Sequence, residues 1–262
     1  MIQIATPVSN FFTDETLRNE LIEISDILEL RDNNPPLPTN KRYLYHSPLN
    51  LLAVWLPEEI TRLRTIQNEY VIKAVSSHIM YRYQNIKIKK GQKTEYAEGI
   101  GTPLSIDEMK KNAQNNCKIL KNIFGKNIII LGENINDLLT DAYEIVTNPS
   151  FISEIIRKND IYFLLDISHA LISSINKKID FEQYLSGLPL DKCKQVHISK
   201  HVVVDGFAID AHEALHETDW ILIKNIMKRL DKLEYATIEY YRNEEIFIEQ
   251  ISKLREIIEE IE

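Results

Sequence analysis

The fold class that this sequence predicts is α/β, a (β/α)8 TIM barrel, and three observations carry that expectation. The 262 residues match the ~250 that such barrels commonly need. Eight short apolar stretches read as strands, and most are separated by segments with helical periodicity. The strands are apolar along their whole length rather than alternating, as expected of a parallel sheet covered on both faces. A doubly wound open sheet is the competing architecture, but no Gly-x-Gly-x-x-Gly follows any strand.

In chain order, residues 2–8 read as the first strand. Residues 14–26 follow as a helix with Thr13 or Asp14 as its cap. Residues 27–31 (ILELR) form the second strand, and Asn33, Asn34, Pro35, Pro36 and Pro38 a loop that neither element can cross. The third strand, 43–46, runs into Ser47-Pro48. A helix over 57–73 opens at Pro57 with Glu58 and Glu59 in its first turn. Residues 76–83 are the fourth strand, and 84–104 an irregular, basic, glycine-containing stretch. Ser105 and Glu108 have capping-box spacing at the head of a helix ending at Gly125. The fifth strand is 127–133, and 138–158 is helical with a break near Asn148-Pro149. The sixth strand is 161–167 and the seventh 194–199, followed by a long loop. A helix over 218–232, a last strand over 235–241 and an acidic helix over 243–262 complete the chain. No repeat, low-complexity tract or linker is evident, so residues 1–262 are expected to form a single metalloenzyme domain.

Composition narrows the function. Lys+Arg 31 against Asp+Glu 39 gives a net charge of −8, the wrong balance for gripping a phosphate backbone, so nucleic acid is a disfavoured partner. The two cysteines, Cys117 and Cys193, cannot build a cysteine-rich metal site and suit a reducing compartment. The first residues lack the pattern of a secretory signal, and no stretch approaches the ~18 apolar residues of a membrane span. A cytoplasmic setting without membrane contact is expected.

Residues 196–217 hold four of the seven histidines, His197, His201, His212 and His216. Asp210 and His212, two apart in an extended segment, would point the same way and grip one ion together. Other imidazoles and carboxylates fall at or near strand ends: His46, His78, Glu133, Asp166, His169, His197 and Glu239. In a barrel these nine would converge on the C-terminal mouth, where such folds place their chemistry. Bland readings exist for each: Asp166 capping a turn, Glu133 paired with a lysine, Glu239 paired with Arg242. Four carboxylates crowded together would nevertheless be costly without cations, and a centre of two or three ions removes that cost. Iron, zinc and manganese all accept such ligands.

Several segments resemble the endonuclease IV/xylose isomerase-like barrel superfamily: HSPLNLLAV from His46, LGEN at Glu133, DISH at Asp166, VHIS at His197, DAH at Asp210 and IEY at Glu239. Within it, the chain is most similar to the multinuclear non-heme iron-dependent oxidative enzymes that modify ribosomally made peptides. That likeness rests on GTPLSIDEM (101–109), ENINDLL (133–139), FLLDISHALIS (163–173), YLSGLPLDKCKQVHISKH (184–201), DAHEALHETDW (210–220) and ATIEYYRN (236–243). The resemblance spans roughly residues 40–250, though 84–100 departs from the family pattern. It implies an oxidoreductase with two or three irons that uses O2 to modify cysteine in a precursor peptide. His46, His78 and Glu133 would serve one position, and Glu133 would bridge to a second held by Asp166, His197 and Glu239. His169, Asp210 and His212 would hold a third. His201, Asn134 and Glu213 would be flanking or substrate-facing catalytic candidates. No fused peptide-binding domain is evident, so a separate leader-binding partner protein or an edge of the barrel itself would deliver the peptide. A zinc phosphodiesterase of the endonuclease IV kind and a sugar isomerase are the alternatives that the same ligands would serve.

Overall fold

Hydrophobic runs of four to nine residues build the centre of the molecule. In the computed structural model, which describes residues 1–32, 37–38, 42–92 and 94–262, eight parallel strands close into a barrel. They are β1 Gln3–Pro7, β2 Ile27–Leu30, β3 Arg42–Asn50, β4 Val71–Ile79, β5 Ile129–Asn134, β6 Tyr162–Asp166, β7 Cys193–Ile198 and β8 Tyr235–Ile238. Each pairs with its sequence neighbours, and β8 returns to β1. The expected barrel is therefore the observed one.

The helices are α1 Glu15–Ile24, α2 Pro57–Glu69, α3 Ile106–Phe124, α4 Pro149–Lys158, α5 Ile167–Lys177, α6 Phe181–Ser186, α7 Glu217–Met227 and α8 Glu244–Ile261. Local chemistry sets their ends. Asp14 caps α1 by accepting from Leu17 N, and Ser105 and Glu108 form the expected capping box on α3, which stops at Gly125 with φ +98°. Proline opens α2 and α4. Between barrel and helices lies one large apolar core including Phe12, Phe163, Tyr184 and Leu254. A smaller cluster of Ala5, Ile27, Leu44, Ala74, Leu131, Leu164 and Tyr235 is separate from it.

Four expectations need correction. The helix over 57–73 ends at Glu69, because Val71 and Ile72 are β-branched and already belong to β4. Residues 139–147 form turns rather than helix, with Leu139 at φ +58°. The irregular 84–104 stretch contains an antiparallel hairpin, Asn85–Lys90 against Glu95–Ile100. The long loop after β7 is a second hairpin, Lys200–Val204 against Phe207–Glu213, turning at Asp205-Gly206 with φ +50° and +74°. Positive φ at both central residues marks a tight hairpin turn, for which Asp-Gly is the favoured pair. Asn33 to Pro36, part of the expected proline loop, lie outside the described residues.

Candidate metal centre

Barrel register brings the polar residues of distant segments to one height. His78 lies opposite Glu133 across β4 and β5, His46 opposite Ser76 across β3 and β4, and Asp166 opposite His197 across β6 and β7. Asp166 also begins α5: its Oδ1 accepts from His169 N at 2.7 Å, which turns His169 toward the same mouth. Asp210 and His212 come from the second hairpin, which folds back over the barrel end.

All nine expected ligands meet there. His78 Nε2 and His46 Nε2 lie 3.1 and 3.4 Å from Glu133 Oε2. His197 Nδ1 lies 3.2 Å from Glu239 Oε1 and 3.4 Å from Glu133 Oε1. Asp210 Oδ2 stands between His169 Nε2 at 3.6 Å and His212 Nε2 at 3.4 Å, and His212 Nε2 is 3.1 Å from Glu239 Oε2. The ligand atoms of His46, His78 and Glu133 fall within 4.8 Å of one another. So do those of Glu133, Asp166 and His169, and those of Asp166, His197 and Glu239. Glu133 and Asp166 each belong to two such groups, the arrangement expected of carboxylates shared between ions. One premise is corrected: His212 is not extended but left-handed, at φ +45°, a backbone that histidine adopts more readily than most residues.

Two of the imidazoles are oriented from behind. His169 Nδ1 is 2.9 Å from the Asn134 carbonyl, which can only accept, so Nδ1 carries the proton and Nε2 offers its lone pair. His46 Nδ1 contacts the Ser76 hydroxyl at 2.7 Å, leaving Nε2 toward Glu133. Such outer hydrogen bonds are how proteins aim metal-binding histidines.

Cations fit this donor set. Glu133 Oε2, Asp166 Oδ2, Asp210 Oδ1 and His197 Nδ1 are buried without a hydrogen-bond partner. Buried polar atoms seldom stay unpaired, and here carboxylate oxygens and an imidazole nitrogen share one space. Burial, with Glu239, Glu133 and Asp210 close by, pushes the Asp166 carboxyl up to about 7 despite the opposing pull of His169. The repulsion is what bound cations would relieve.

The three flanking candidates separate. Both amide atoms of Asn134 are taken by the Asp166 backbone: Nδ2 donates to its carbonyl and Oδ1 accepts from its N–H, each at 3.0 Å. Asn134 thus clasps β5 to β6. Glu213 is ion-paired with Arg242 at 2.5 Å on the exterior of the second hairpin. His201 is the cross-strand partner of Asp210 and is half-buried; burial lowers its pKa, against the pull of Asp219.

Sequence reasoning missed Glu29 and Arg31. Arg31 Nη2 reaches Glu29 Oε1 at 2.6 Å and also grips Glu239 Oε1. Glu29 Oε2 lies 3.1 Å from His197 Nε2. Burial opposes ionisation of Glu29, yet His197 and Arg31 outweigh it and hold its pKa down to about 2. The signal was present as two charged residues inside the apolar stretch ILELR.

A closed parallel barrel with a histidine–carboxylate cluster at its C-terminal mouth is the framework on which the chain can be compared with known proteins. Solved structures agree on the fold. A D-tagatose 3-epimerase-like protein superposes with a TM-score of 0.64 at 16% identity, covering 99% of this chain and 98% of its own. A D-allulose 3-epimerase from Methylomonas sp. gives 0.59 at 13%, covering 100% and 98%. The family model for the RiPP precursor modification enzymes MbnB/TglH/ChrH, which act on ribosomally made peptides, matches residues 54–261, and the chain belongs to that family. Relatives include UPF0276 proteins from Acaryochloris marina, 26% identical over 42% of this chain and 40% of the relative. Another, from Acinetobacter baylyi, is 23% identical over 64% and 55%. The chain thus spans 40% and 55% of the length of these two curated relatives.

Proposed function

We propose that the chain is a metal-dependent oxidoreductase that uses two or three iron ions and O2 to modify a cysteine of a ribosomally made precursor peptide. The observation that carries the reading is the convergence of nine imidazoles and carboxylates, among which Glu133, Asp166, Asp210 and His197 each keep a buried polar atom without a hydrogen-bond partner. Family membership supports a peptide substrate. Histidine and carboxylate sites with open positions suit Fe(II). Bound iron would supply electrons to O2 and a docking point for a substrate thiolate.

The chain's own residues prepare that chemistry. His46, His78 and Glu133 would hold one position, Asp166, His197 and Glu239 a second, and His169, Asp210 and His212 a third. The second hairpin carries Asp210 and His212 to the centre. Where its tip approaches that of the first hairpin, Gly91, Gln92, Thr94, Tyr96, Leu138 and Phe207 line a cleft of about 350 Å3, to which we assign a part of the peptide away from the reacting residue. His201, Asn134 and Glu213 are assigned positioning roles on the contacts described above. A separate protein that holds the leader segment is a compatible partner, and the reaction is assigned to the cytoplasm.

The test is purification without oxygen, metal analysis with a Mössbauer spectrum, and oxygen consumption with a cysteine-bearing peptide encoded beside the gene. Two or three irons per chain and peptide-dependent oxygen uptake are expected. Tightly held zinc without oxygen uptake would overturn the reading in favour of a hydrolytic centre. A manganese enzyme that isomerises sugars would overturn it equally.

A further inference from the structure

Glu29 is close enough to His46 and His197 to be counted with them as a possible ligand group, but its hydrogen bonds point elsewhere. Oε1 accepts from Arg31, and Oε2 is within 3.1 Å of His197 Nε2 and 3.3 Å of Thr237 Oγ1, with the Gln195 amide donating to it as well. Its acceptor capacity is taken up, in contrast to Glu133 and Asp166, each of which keeps an oxygen without a partner. A carboxylate so engaged has little left for an ion.

We propose that Glu29 and Arg31 form a brace beneath the centre: Glu29 fixes the ring of His197, and Arg31 fixes both Glu29 and Glu239. A carboxylate oxygen accepts, and the two hydrogens of the Gln195 amide go to Glu29 and Thr237, so the Glu29 contact keeps the proton on His197 Nε2. Nδ1, facing Glu133 and Glu239, is then the only ring nitrogen available to an ion. His197 thereby binds through the opposite nitrogen from His46, His78 and His169, whose Nε2 atoms face the centre. The reason is geometric. His197 stands on β7 beside Asp166 and Thr237, with its Nε2 edge turned to the barrel axis where Glu29 sits. Arg31 grips Glu239 Oε1, which turns Oε2 toward His212. Both are positioning residues.

This inference rests on the metal-centre part of the proposed function but not on iron, oxygen or a peptide, so zinc and cobalt serve as probes. In the full chain loaded with Zn(II) and carrying 15N-histidine, the His197 resonances, assigned by loss in His197→Asn, are expected to show Nε2 protonated and Nδ1 metal-shifted. The reverse tautomer would overturn the brace whatever the enzyme's reaction. In Co(II) competition against a chelator, Glu29→Gln is expected to weaken binding about 10–100-fold, the usual range for such outer contacts, and to shift the visible absorption of the bound cobalt. Arg31→Met is expected to do the same, with Arg31→Lys recovering part of the loss. Unchanged affinity and spectrum in a folded Glu29→Gln protein would overturn the proposal. If that variant fails to fold, the tautomer of the wild-type protein decides. Failure to bind Zn(II) or Co(II) at all would instead sink the metal-centre reading itself.

Discussion

Asp166 serves two purposes at once, capping α5 through Oδ1 while aiming an unpartnered Oδ2 into the centre. Its backbone is clasped by Asn134, so the carboxylate is held amid its neighbours rather than free to swing away. Residues kept in a repulsive setting for the sake of a ligand are destabilising until the ligand arrives. Asp166→Asn should therefore stabilise the metal-free protein by about 0.5–2 kcal/mol while lowering the number of ions bound, as thermal melts beside metal analysis would reveal. The two cysteines behave oppositely. Burial pushes both Cys117 and Cys193 thiols up to about 12, so neither is a nucleophile. Because the folded pKa lies above the unfolded one, their contribution to stability is whole below about pH 9 and fades as pH rises toward 12. Iodoacetamide at pH 8 should leave the native protein unlabelled and label both thiols after denaturation.

The elements differ in how openly the sequence announced them. Barrel strands were legible because burial on both faces demands continuous apolar runs, and α3 because its capping box and terminal glycine bracket it. The hairpins were not. VVVDGFAID carried the Asp-Gly signal, but its run of valines resembles a barrel strand until the turn is recognised. The first hairpin is held by an unusual contact: the Tyr83 ring lies against Gly99, where an added Cβ would come within 2.4 Å of it. Tyr83 cannot retreat freely, since its hydroxyl donates to Asp141 at 2.5 Å. Gly99→Ala should cost about 1–3 kcal/mol through overpacking. Hydrogen exchange should quicken across residues 85–100 more than in the barrel strands; uniform protection would contradict the contact.

At the scale of the whole molecule, centre and barrel are one thermodynamic object. Glu29 and Glu239, 210 positions apart in the chain, share one guanidinium, so the centre exists only when the barrel has closed. An ion that binds the folded chain alone stabilises it by about 2.7 kcal/mol at one hundred times its dissociation constant. Chelation should lower the melting temperature by several degrees, and adding Co(II) or Zn(II) should restore it in a concentration-dependent manner. A melt indifferent to chelator and metal would speak against a shared centre. The convergence of the nine residues was legible because polar residues stand out at the ends of apolar strands. The brace was not, because a charged pair inside ILELR is indistinguishable from a solvated edge until its distant partners are placed. Likewise Glu239 pairs with Arg31, and Arg242 with Glu213, a choice that only tertiary geometry makes. No helix among the described residues is long and apolar enough to cross a membrane.

The left-handed backbone at His212 limits how this centre can be redesigned. If His212 holds an ion as proposed, swapping its imidazole for another donor must satisfy an inverted main-chain twist as well as that ion, and asparagine and aspartate tolerate the twist best. A β-branched replacement would be penalised twice, for the lost donor and for the twist. Ligand exchange at this corner should therefore succeed with short amides and acids and fail with valine or threonine, even where those fit the space.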